Sequence, residues 1–319
     1  MARRAALPVT TAKIAAEHSV HVTRAALASV TLALVLLVAK AWAAWLTDST
    51  AMLGSLADTA LDVIASLTTL LGVRIAAIPA DSDHRFGHGK AEALVALAQV
   101  ILITVSAIGI CWRAIDRLIN GAQTQAMDAG IAVSVLAIAF TYVLLWYQKR
   151  VIERTRSVAI KTDNVHYKSD LFLNGSVIVA LLLDQALHVG GADAVFGILI
   201  ALWLLWGAWH ASSNALNQLM DREWPDDLRE KFLAATREYP LLEGLHDLRT
   251  RTSGVHYFAQ FHVWVPADWT VQKAHDRLDK IEEELQQRFP GTEILIHVDP
   301  EGQIDRETIL PSEITEKAE

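Results

Sequence analysis

Six long apolar segments constrain this chain more than any other feature of its sequence. A helix needs about 20 mostly apolar residues to cross the hydrocarbon core of a bilayer. The candidate spans lie at about residues 25–46, 50–76, 91–119, 127–150, 165–188 and 193–217. The chain is also 52% hydrophobic, which is too apolar for an ordinary soluble domain. We therefore predict an all-α, six-helix transmembrane bundle over residues 1–220.

The second segment is the weakest candidate span, because it carries Asp58 and Asp62. Without it, the chain would have five spans and its two ends on opposite sides of the membrane. Basic residues favour six spans, since Lys and Arg accumulate in cytoplasmic loops. They cluster before span one, after span two and after span four, and the alternate loops are nearly free of them except for Arg113 and Arg117. We predict that both termini are cytoplasmic.

The composition changes from apolar to charged near "MDREWPDD", at residues 220–227. Beyond this point, helical periodicity marks residues 226–239 and 271–289. Strand-like segments cover residues 245–252, 256–265 and 292–299. The order αββαβ predicts a small α+β domain over residues 221–300, with helices packed against an open sheet, followed by a disordered tail at 301–319. A domain of about 75 residues buries only a modest core and would gain from dimerising.

Composition also excludes several classes of protein. One cysteine, Cys111, lies in an apolar span, so no disulfide framework is expected. The net charge of −8 at pH 7 argues against nucleic acid as a partner, since binding to its phosphates requires excess positive charge. The segment "FGHGK" lacks the first Gly of a phosphate-binding P-loop, and Ala91 stands where Ser or Thr is needed. We expect neither ATP nor an organic cofactor.

Two pairs of polar residues interrupt the predicted spans. Asp58 and Asp62 lie four residues apart on the second span, and so project from one helix face. His166 and Asp170 have the same spacing at the start of the fifth. Carboxylates desolvated side by side repel each other unless a cation or a proton neutralises them. One imidazole with three carboxylates suits Zn²⁺ or a similar divalent ion, whereas the alternative is a polar interface inside the bundle.

The loop "DSDHRFGHGK" contains a second group of ligand-type side chains. Asp81, Asp83, His84 and His88 fall within eight residues of one another. Two histidines and a carboxylate can close around a divalent ion. A solvated cytoplasmic loop is the alternative interpretation.

Histidines are concentrated in the polar tail, at His246, His256, His262, His275 and His297. Along the last strand, alternation sends Ile294, Ile296 and Val298 to the core and His297 and Asp299 to the opposite face. On the second strand, His262 points away from its apolar neighbours in the same way. Outward-facing His and Asp side chains on neighbouring strands predict a surface metal site. His256 has no evident partner in the sequence.

Together these motifs resemble the cation diffusion facilitator family. The resemblance rests on six spans with DxxxD on the second (Asp58, Asp62) and HxxxD on the fifth (His166, Asp170). The segments "PADSDHRFGHGKAEAL", "HDLRTRTSG" and "IHVDP" are similar to the bacterial zinc- and iron-efflux branch of that family. The resemblance extends from about residue 24 to 300.

The resemblance implies a homodimeric metal/proton antiporter of the bacterial inner membrane with a ferredoxin/metallochaperone-like cytoplasmic domain. It implies transport of Zn²⁺, with Cd²⁺ or Fe²⁺ as further cargo, at Asp58, Asp62, His166 and Asp170. It implies a loop site at Asp81, His84 and His88, and a regulatory binuclear site in the tail at His246, His262, His275, His297 and Asp299. It also implies an ion pair between Lys90 and Asp221, and it assigns no role to Asp83.

The implied mechanism is export by alternating access, with protons and metal competing for the same ligands. Two other functions fit some of the residues. A membrane-anchored metal sensor would bind metal without carrying it across. An intramembrane protease could use membrane carboxylates, but the sequence has no HExxH motif, so we do not expect an enzyme.

Overall fold

The computed structural model describes residues 9–47, 50–120, 128–187 and 192–302. The chain forms two compact units, of which the first comprises His18–Leu219 and the second begins at Met220. Arg3 and Arg4, which belong to the basic cluster before span one, lie outside the described residues, as does nearly all of the predicted tail at 301–319. The predicted domain bounds of 1–220, 221–300 and 301–319 stay a prediction.

Six helices precede Met220 in the described residues, and they confirm the predicted helical bundle. Their bounds are α1 (Val9–Thr47), α2 (Thr50–Ala76), α3 (Ala91–Asn120), α4 (Asp128–Thr155), α5 (Val158–Leu187) and α6 (Ala192–Leu219). Within the part of the chain that the structure describes, five are long and apolar enough to cross a membrane. The exception there is α5, not α2, because the first half of α5 carries Asp163, His166 and Asp170 among its polar side chains.

Small side chains fill the interior of this unit. Ala25, Ala26 and Ser29 are fully buried on α1, and Ser66 and Thr69 are fully buried on α2. In a bilayer, small residues at helix contacts let backbones approach closely and pack without a hydrophobic driving force. Many large apolar side chains lie outside, among them Val38, Trp42, Trp45, Trp112 and Trp209. This distribution is the one expected of a bundle surrounded by lipid.

The second unit has the predicted order αββαβ. Its main elements are α7 (Asp226–Thr236), β1 (His246–Ser253), β2 (His256–Val265), α8 (Val271–Arg288) and β3 (Thr292–Pro300). The sheet order is β1-β2-β3, with β1 antiparallel to β2 and β2 parallel to β3. Parallel neighbours need a crossover connection, which α8 provides. The predicted α+β fold is therefore confirmed.

Local sequence explains how the helices of the small domain begin and end. The first helix ends at Thr236 and not at the expected residue 239, because Pro240 disfavours helical backbone at Tyr239, which is extended. The hydroxyl of Thr270 accepts from the Lys273 amide and caps α8. Both helices pack on the sheet through a core that includes Phe232, Phe261 and Leu285. This core leaves the other face of the sheet free to carry polar side chains.

Candidate metal sites

The first candidate site lies between α2 and α5 in the helical unit. The His166 Nε2 atom is 3.1 Å from Asp62 Oδ1 and 3.9 Å from Asp170 Oδ2. Ligand atoms of these three residues all lie within 4.8 Å of one another. His166 and Asp170 face the same way because they are one helical turn apart on α5. One nitrogen and two carboxylates therefore converge as they would around a divalent cation.

Asp58 is the predicted ligand that stands apart from this group. Its Oδ2 atom lies 3.6 Å from the Nη1 atom of Arg113 on α3. The Asp58 side chain is 58% exposed, whereas the Asp62 side chain is 20% exposed. The structure thus brings three of the four predicted ligands together and places the fourth against a guanidinium group.

A buried carboxylate that the sequence analysis missed lies one turn before His166. Asp163 is fully buried, and its oxygens accept from Ser29 Oγ at 2.7 Å, Gln148 Nε2 at 2.8 Å and Gln99 Nε2 at 3.2 Å. These donors belong to α1, α4 and α3, so the carboxylate links three helices to α5. Gln99 and Gln148 are polar residues inside apolar spans, and their positions are the sequence signal that could have revealed the network around Asp163.

Tyr167 forms a second polar connection beside the site. Its hydroxyl donates to the Ser29 carbonyl oxygen at 2.9 Å and lies 2.8 Å from Ser66 Oγ. The side chain is almost completely buried. Tyr167 follows His166 in the chain, and Ser66 lies one turn after Asp62, so this link joins the two helices that carry the candidate ligands.

The second candidate site is the loop between α2 and α3. His84 Nδ1 lies 3.5 Å from Asp81 Oδ1, and His88 Nε2 lies 3.5 Å from Asp81 Oδ2. Asp81 also accepts from the backbone amides of His84 at 2.7 Å and Asp83 at 2.9 Å. The bond from the His84 amide is the main reason that the pKa of the Asp81 carboxyl lies below its ordinary value. These residues form a compact group, in which Asp83 contributes only its amide.

The third candidate site lies on the polar face of the small sheet. Strand register places His262 between His246 on β1 and His297 on β3. Oxygens of Asp299 lie 2.9 Å from His262 Nδ1, 3.3 Å from His246 Nε2 and 3.3 Å from His297 Nε2. Ligand atoms of His246, His262 and Asp299 lie within 4.8 Å of one another. Asp299 is central because it contacts all three imidazoles.

Two further histidines of the tail lie elsewhere, the predicted ligand His275 and His256, to which no role was assigned. His275 is on α8 and lines a cavity of about 340 Å³ together with Asp279, Glu282 and Trp269. It is not in the ligand group of the sheet among the described residues. His256 begins β2, and burial lowers its pKa, an effect that Glu293 partly opposes.

The residues of the predicted ion pair have other contacts, each within its own unit. The Lys90 ammonium donates to the Leu219 carbonyl oxygen at 3.3 Å. Asp221 Oδ1 lies 3.7 Å from Arg251 Nη1. The pairing of Lys90 with Asp221 stays a prediction.

Sequence models of two domains match this chain over almost all of the region described above. The cation efflux transmembrane domain matches residues 26–220, and the cytoplasmic domain of cation efflux proteins matches residues 224–301. The chain belongs to the cation diffusion facilitator family. It is thus a divalent metal cation efflux transporter and not an enzyme, and the sensor and protease alternatives are not favoured. Homodimer formation fits its dimerisation-type cytoplasmic domain.

Relatives within the family align along most of their length. The cation-efflux pump FieF of Cronobacter sakazakii is 41% identical over 280 residues, which are 88% of this chain and 93% of the pump. FieF of Klebsiella pneumoniae is 39% identical over the same shares of both chains.

Solved structures similar to the small domain cover less of the chain. A structure of CzrB in a zinc form is 37% identical and covers 27% of this chain and 99% of that chain, with a TM-score of 0.25. The metal-bound C-terminal domain of the CzcD transporter from Thermotoga maritima is 29% identical. The match covers 25% of this chain and 93% of that domain, with a TM-score of 0.24.

Proposed function

We propose that this transporter exports Zn²⁺ from the cytoplasm in exchange for protons, at a site formed by Asp58, Asp62, His166 and Asp170. The observation that carries the proposal is the convergence of Asp62, His166 and Asp170 inside the helical unit. An imidazole with carboxylates is a ligand set that Zn²⁺ accepts in tetrahedral geometry. Cd²⁺ and Fe²⁺ are further cargo, because affinity alone does not set metal selectivity in cells.

Proton exchange follows from the chemistry of these ligands. Metal binds the neutral imidazole and the ionised carboxylates, so a proton and a metal ion compete for the same atoms. The Asp62–His166 contact of 3.1 Å already has the geometry of a hydrogen bond that a proton can bridge. Alternating access would expose this group first to one side and then to the other, and inward proton flow would drive metal outward.

The loop and tail groups are proposed as cytoplasmic metal sites of the same protein in the bacterial inner membrane, with both termini in the cytoplasm. The tail site would be binuclear and would use His246, His262, His297 and Asp299. We keep His275 as a further ligand, supplied by the second copy in the homodimer, because within one chain it lines a separate cavity. Metal at these sites could shift transport only by binding the two transport conformations unequally.

Proteoliposomes with an internal pH indicator test the transport proposal. External Zn²⁺, Cd²⁺ or Fe²⁺ should each drive a proton flux in wild type. Asp62→Ala should abolish the flux, since it removes the closest oxygen partner of His166. Asp83→Ala is the matched control, because Asp83 contributes only its backbone to the loop group. Equal flux in wild type and Asp62→Ala would reject the site, and metal uptake without proton movement would reject the exchange.

A further inference from the structure

Arg113 on α3 contacts a carboxylate that we assign to the transport site. Its Nη1 atom lies 3.6 Å from Asp58 Oδ2. Asp58 precedes Asp62 by one helical turn on α2, and Asp62 belongs to the converging ligand group. The Asp58 carboxylate, which would otherwise be available to the metal as its fourth ligand, therefore lies against a permanent positive charge.

The guanidinium group of Arg113 cannot be neutralised by pH in a protein. It therefore differs from a proton, which leaves a carboxylate when the pH rises. A divalent cation that uses Asp58 as a ligand must displace this group or share the carboxylate with it. Arg113 consequently acts on Asp58 as a permanent, tethered competitor of the metal.

The contact is loose enough to be displaced. A separation of 3.6 Å exceeds the length of a direct charged hydrogen bond, which is about 2.7–2.9 Å. Both side chains are more than half exposed, at 60% for Arg113 and 58% for Asp58. Protein atoms do not enclose either side chain, so the guanidinium group can move away from the carboxylate when a metal ion takes its place.

A second cation lies beside the same turn of α2. The Lys40 ammonium on α1 donates to Thr59 Oγ1 at 2.7 Å, and Thr59 directly follows Asp58. Lys40 therefore bonds a neutral hydroxyl, whereas Arg113 lies against the carboxylate itself. Within a bilayer an ionised Asp58 needs such a countercharge whenever no metal is bound.

The position of Arg113 along the bundle indicates when it acts. The second helix runs toward the loop at residues 77–90, so Asp58 lies one turn farther from that loop than Asp62 does. Arg113 is about 33 Å along α3 from Ala91, at 1.5 Å per residue. The guanidinium thus approaches the ligand set from the end remote from the loop, which is the release side in the proposed direction of transport.

We propose that Arg113 is a positioning residue that holds Asp58 while no metal is bound and recaptures it as the metal departs. This inference rests on the proposed function of the Asp58, Asp62, His166 and Asp170 site. Arg113 weakens metal binding and accelerates release. Its removal therefore leaves Asp58 free to retain the metal.

Zinc flux in proteoliposomes, measured as a function of Zn²⁺ concentration, tests this role. Arg113→Gln should lower both KM and kcat by about twofold or more, since even a weak ion pair contributes that much. Arg113→Lys should stay near wild type, since it keeps the charge. Arg150→Gln is the matched control, because it also removes one positive charge, and Arg150 stacks on Trp146 away from the ligands.

The outcomes separate this inference from the function on which it rests. Loss of flux in wild type, or equal flux in Asp62→Ala, would reject the proposed function. If Asp62→Ala is inactive but Arg113→Gln has wild-type KM and kcat, or a raised KM, the role of Arg113 is rejected alone. If Arg113→Gln does not give a monodisperse protein, Arg113→Met keeps the aliphatic stem and is subject to the same criteria.

Discussion

The hydroxyl of Tyr167 on α5 lies 2.8 Å from the Ser66 hydroxyl on α2, beside the proposed ligands His166 and Asp62. Each residue of this link is next to its ligand, either in the chain or one turn along the helix. The same tyrosine hydroxyl donates to the Ser29 carbonyl oxygen on α1. One phenol group therefore ties together three helices at the level of the proposed site.

We expect Tyr167→Phe to fold but to bind Zn²⁺ more weakly. The substitution keeps the buried ring and removes the hydrogen bonds that set the spacing of α2 and α5, and losing a buried partner costs about 1–3 kcal/mol. Thermal unfolding in detergent and the KM of Zn²⁺ flux would both show the effect. Tyr142→Phe is the control, since Tyr142 is exposed on α4. Identical KM and unfolding temperature in Tyr167→Phe and wild type would contradict this prediction.

We expect Asp163→Ala to destabilise the helical unit more than any single change on its surface. The alanine would leave the buried donors of Ser29, Gln99 and Gln148 without their common acceptor. Ser29 keeps the Ala25 carbonyl oxygen and Gln99 keeps the Thr69 hydroxyl as acceptors, so the cost is that of the lost hydrogen bonds, about 0.5–1.5 kcal/mol each. The measurement is the unfolding temperature of the purified protein in detergent, with Asp83→Ala as the carboxylate control. A decrease in unfolding temperature no larger than that of Asp83→Ala would show that the hydrogen bonds of Asp163 do not stabilise the bundle.

We expect Asp81→Asn to weaken metal binding at the loop by about 10-fold or more, the size of effect seen when metal-site carboxylates or their supports are changed. Asp81 contacts both histidines of the loop, whereas Asp83 contacts neither in the described structure. The affinity is measured by Zn²⁺ titration of the full chain in a background where Asp299→Asn removes the tail site and Asp62→Ala removes the proposed transport site. Asp83→Asn in the same background should bind Zn²⁺ with the same affinity as that background protein. Equal loss in the two variants would indicate a general effect of loop charge.

The pH dependence of the loop should follow the depressed pKa of Asp81. A carboxyl whose pKa is lowered in the folded state stabilises that state above its ordinary value of 3.8, and the contribution is lost as the pH falls through the lowered pKa. The loop conformation should therefore persist from neutral pH down to at least pH 4. Protease cleavage of the loop at stepped pH would measure this. Opening of the loop between pH 7 and pH 5 in wild type, but not in Asp81→Asn, would contradict it.

We expect Asp299→Asn to abolish metal binding on the small sheet, because Asp299 contacts all three histidines there. Glu293→Gln, on the same strand and exposed, is the matched control. Zn²⁺ at 100 times its Kd should stabilise the wild-type domain by about 2.7 kcal/mol, and a chelator should remove this gain. Zinc-dependent stabilisation of equal size in Asp299→Asn and Glu293→Gln would contradict the assignment.

Spacing within single helices and strands allowed much of the site to be predicted from sequence. Residues four apart on a helix share a face whatever surrounds them, which identified the His166 and Asp170 pair. Alternation on a strand identified His297 and Asp299 as partners on the polar face of the sheet. These relationships are local, and so the residues that make them are close together in the sequence.

Contacts between different helices or strands were harder to predict from the sequence. Arg113 was visible only as an exception to the charge pattern of the loops, and Asp163 was one polar residue among several on its span. The partners of Asp163 lie up to 134 positions away in sequence. The row of His246, His262 and His297 likewise depends on register, and β1 shifts register between His246 and Arg249.

The sequence by itself determined the apolar segments, the αββαβ order of the small domain and the chemical types of the candidate ligands, because these follow from short-range periodicity and composition. Only the tertiary structure decided which ligands converge. It joined Asp62 to His166 and Asp170, turned Asp58 toward Arg113, and placed His275 away from the sheet histidines. The physical reason is that helix rotation and strand register are set by packing between distant segments, and a carboxylate takes whichever positive partner that packing brings within reach.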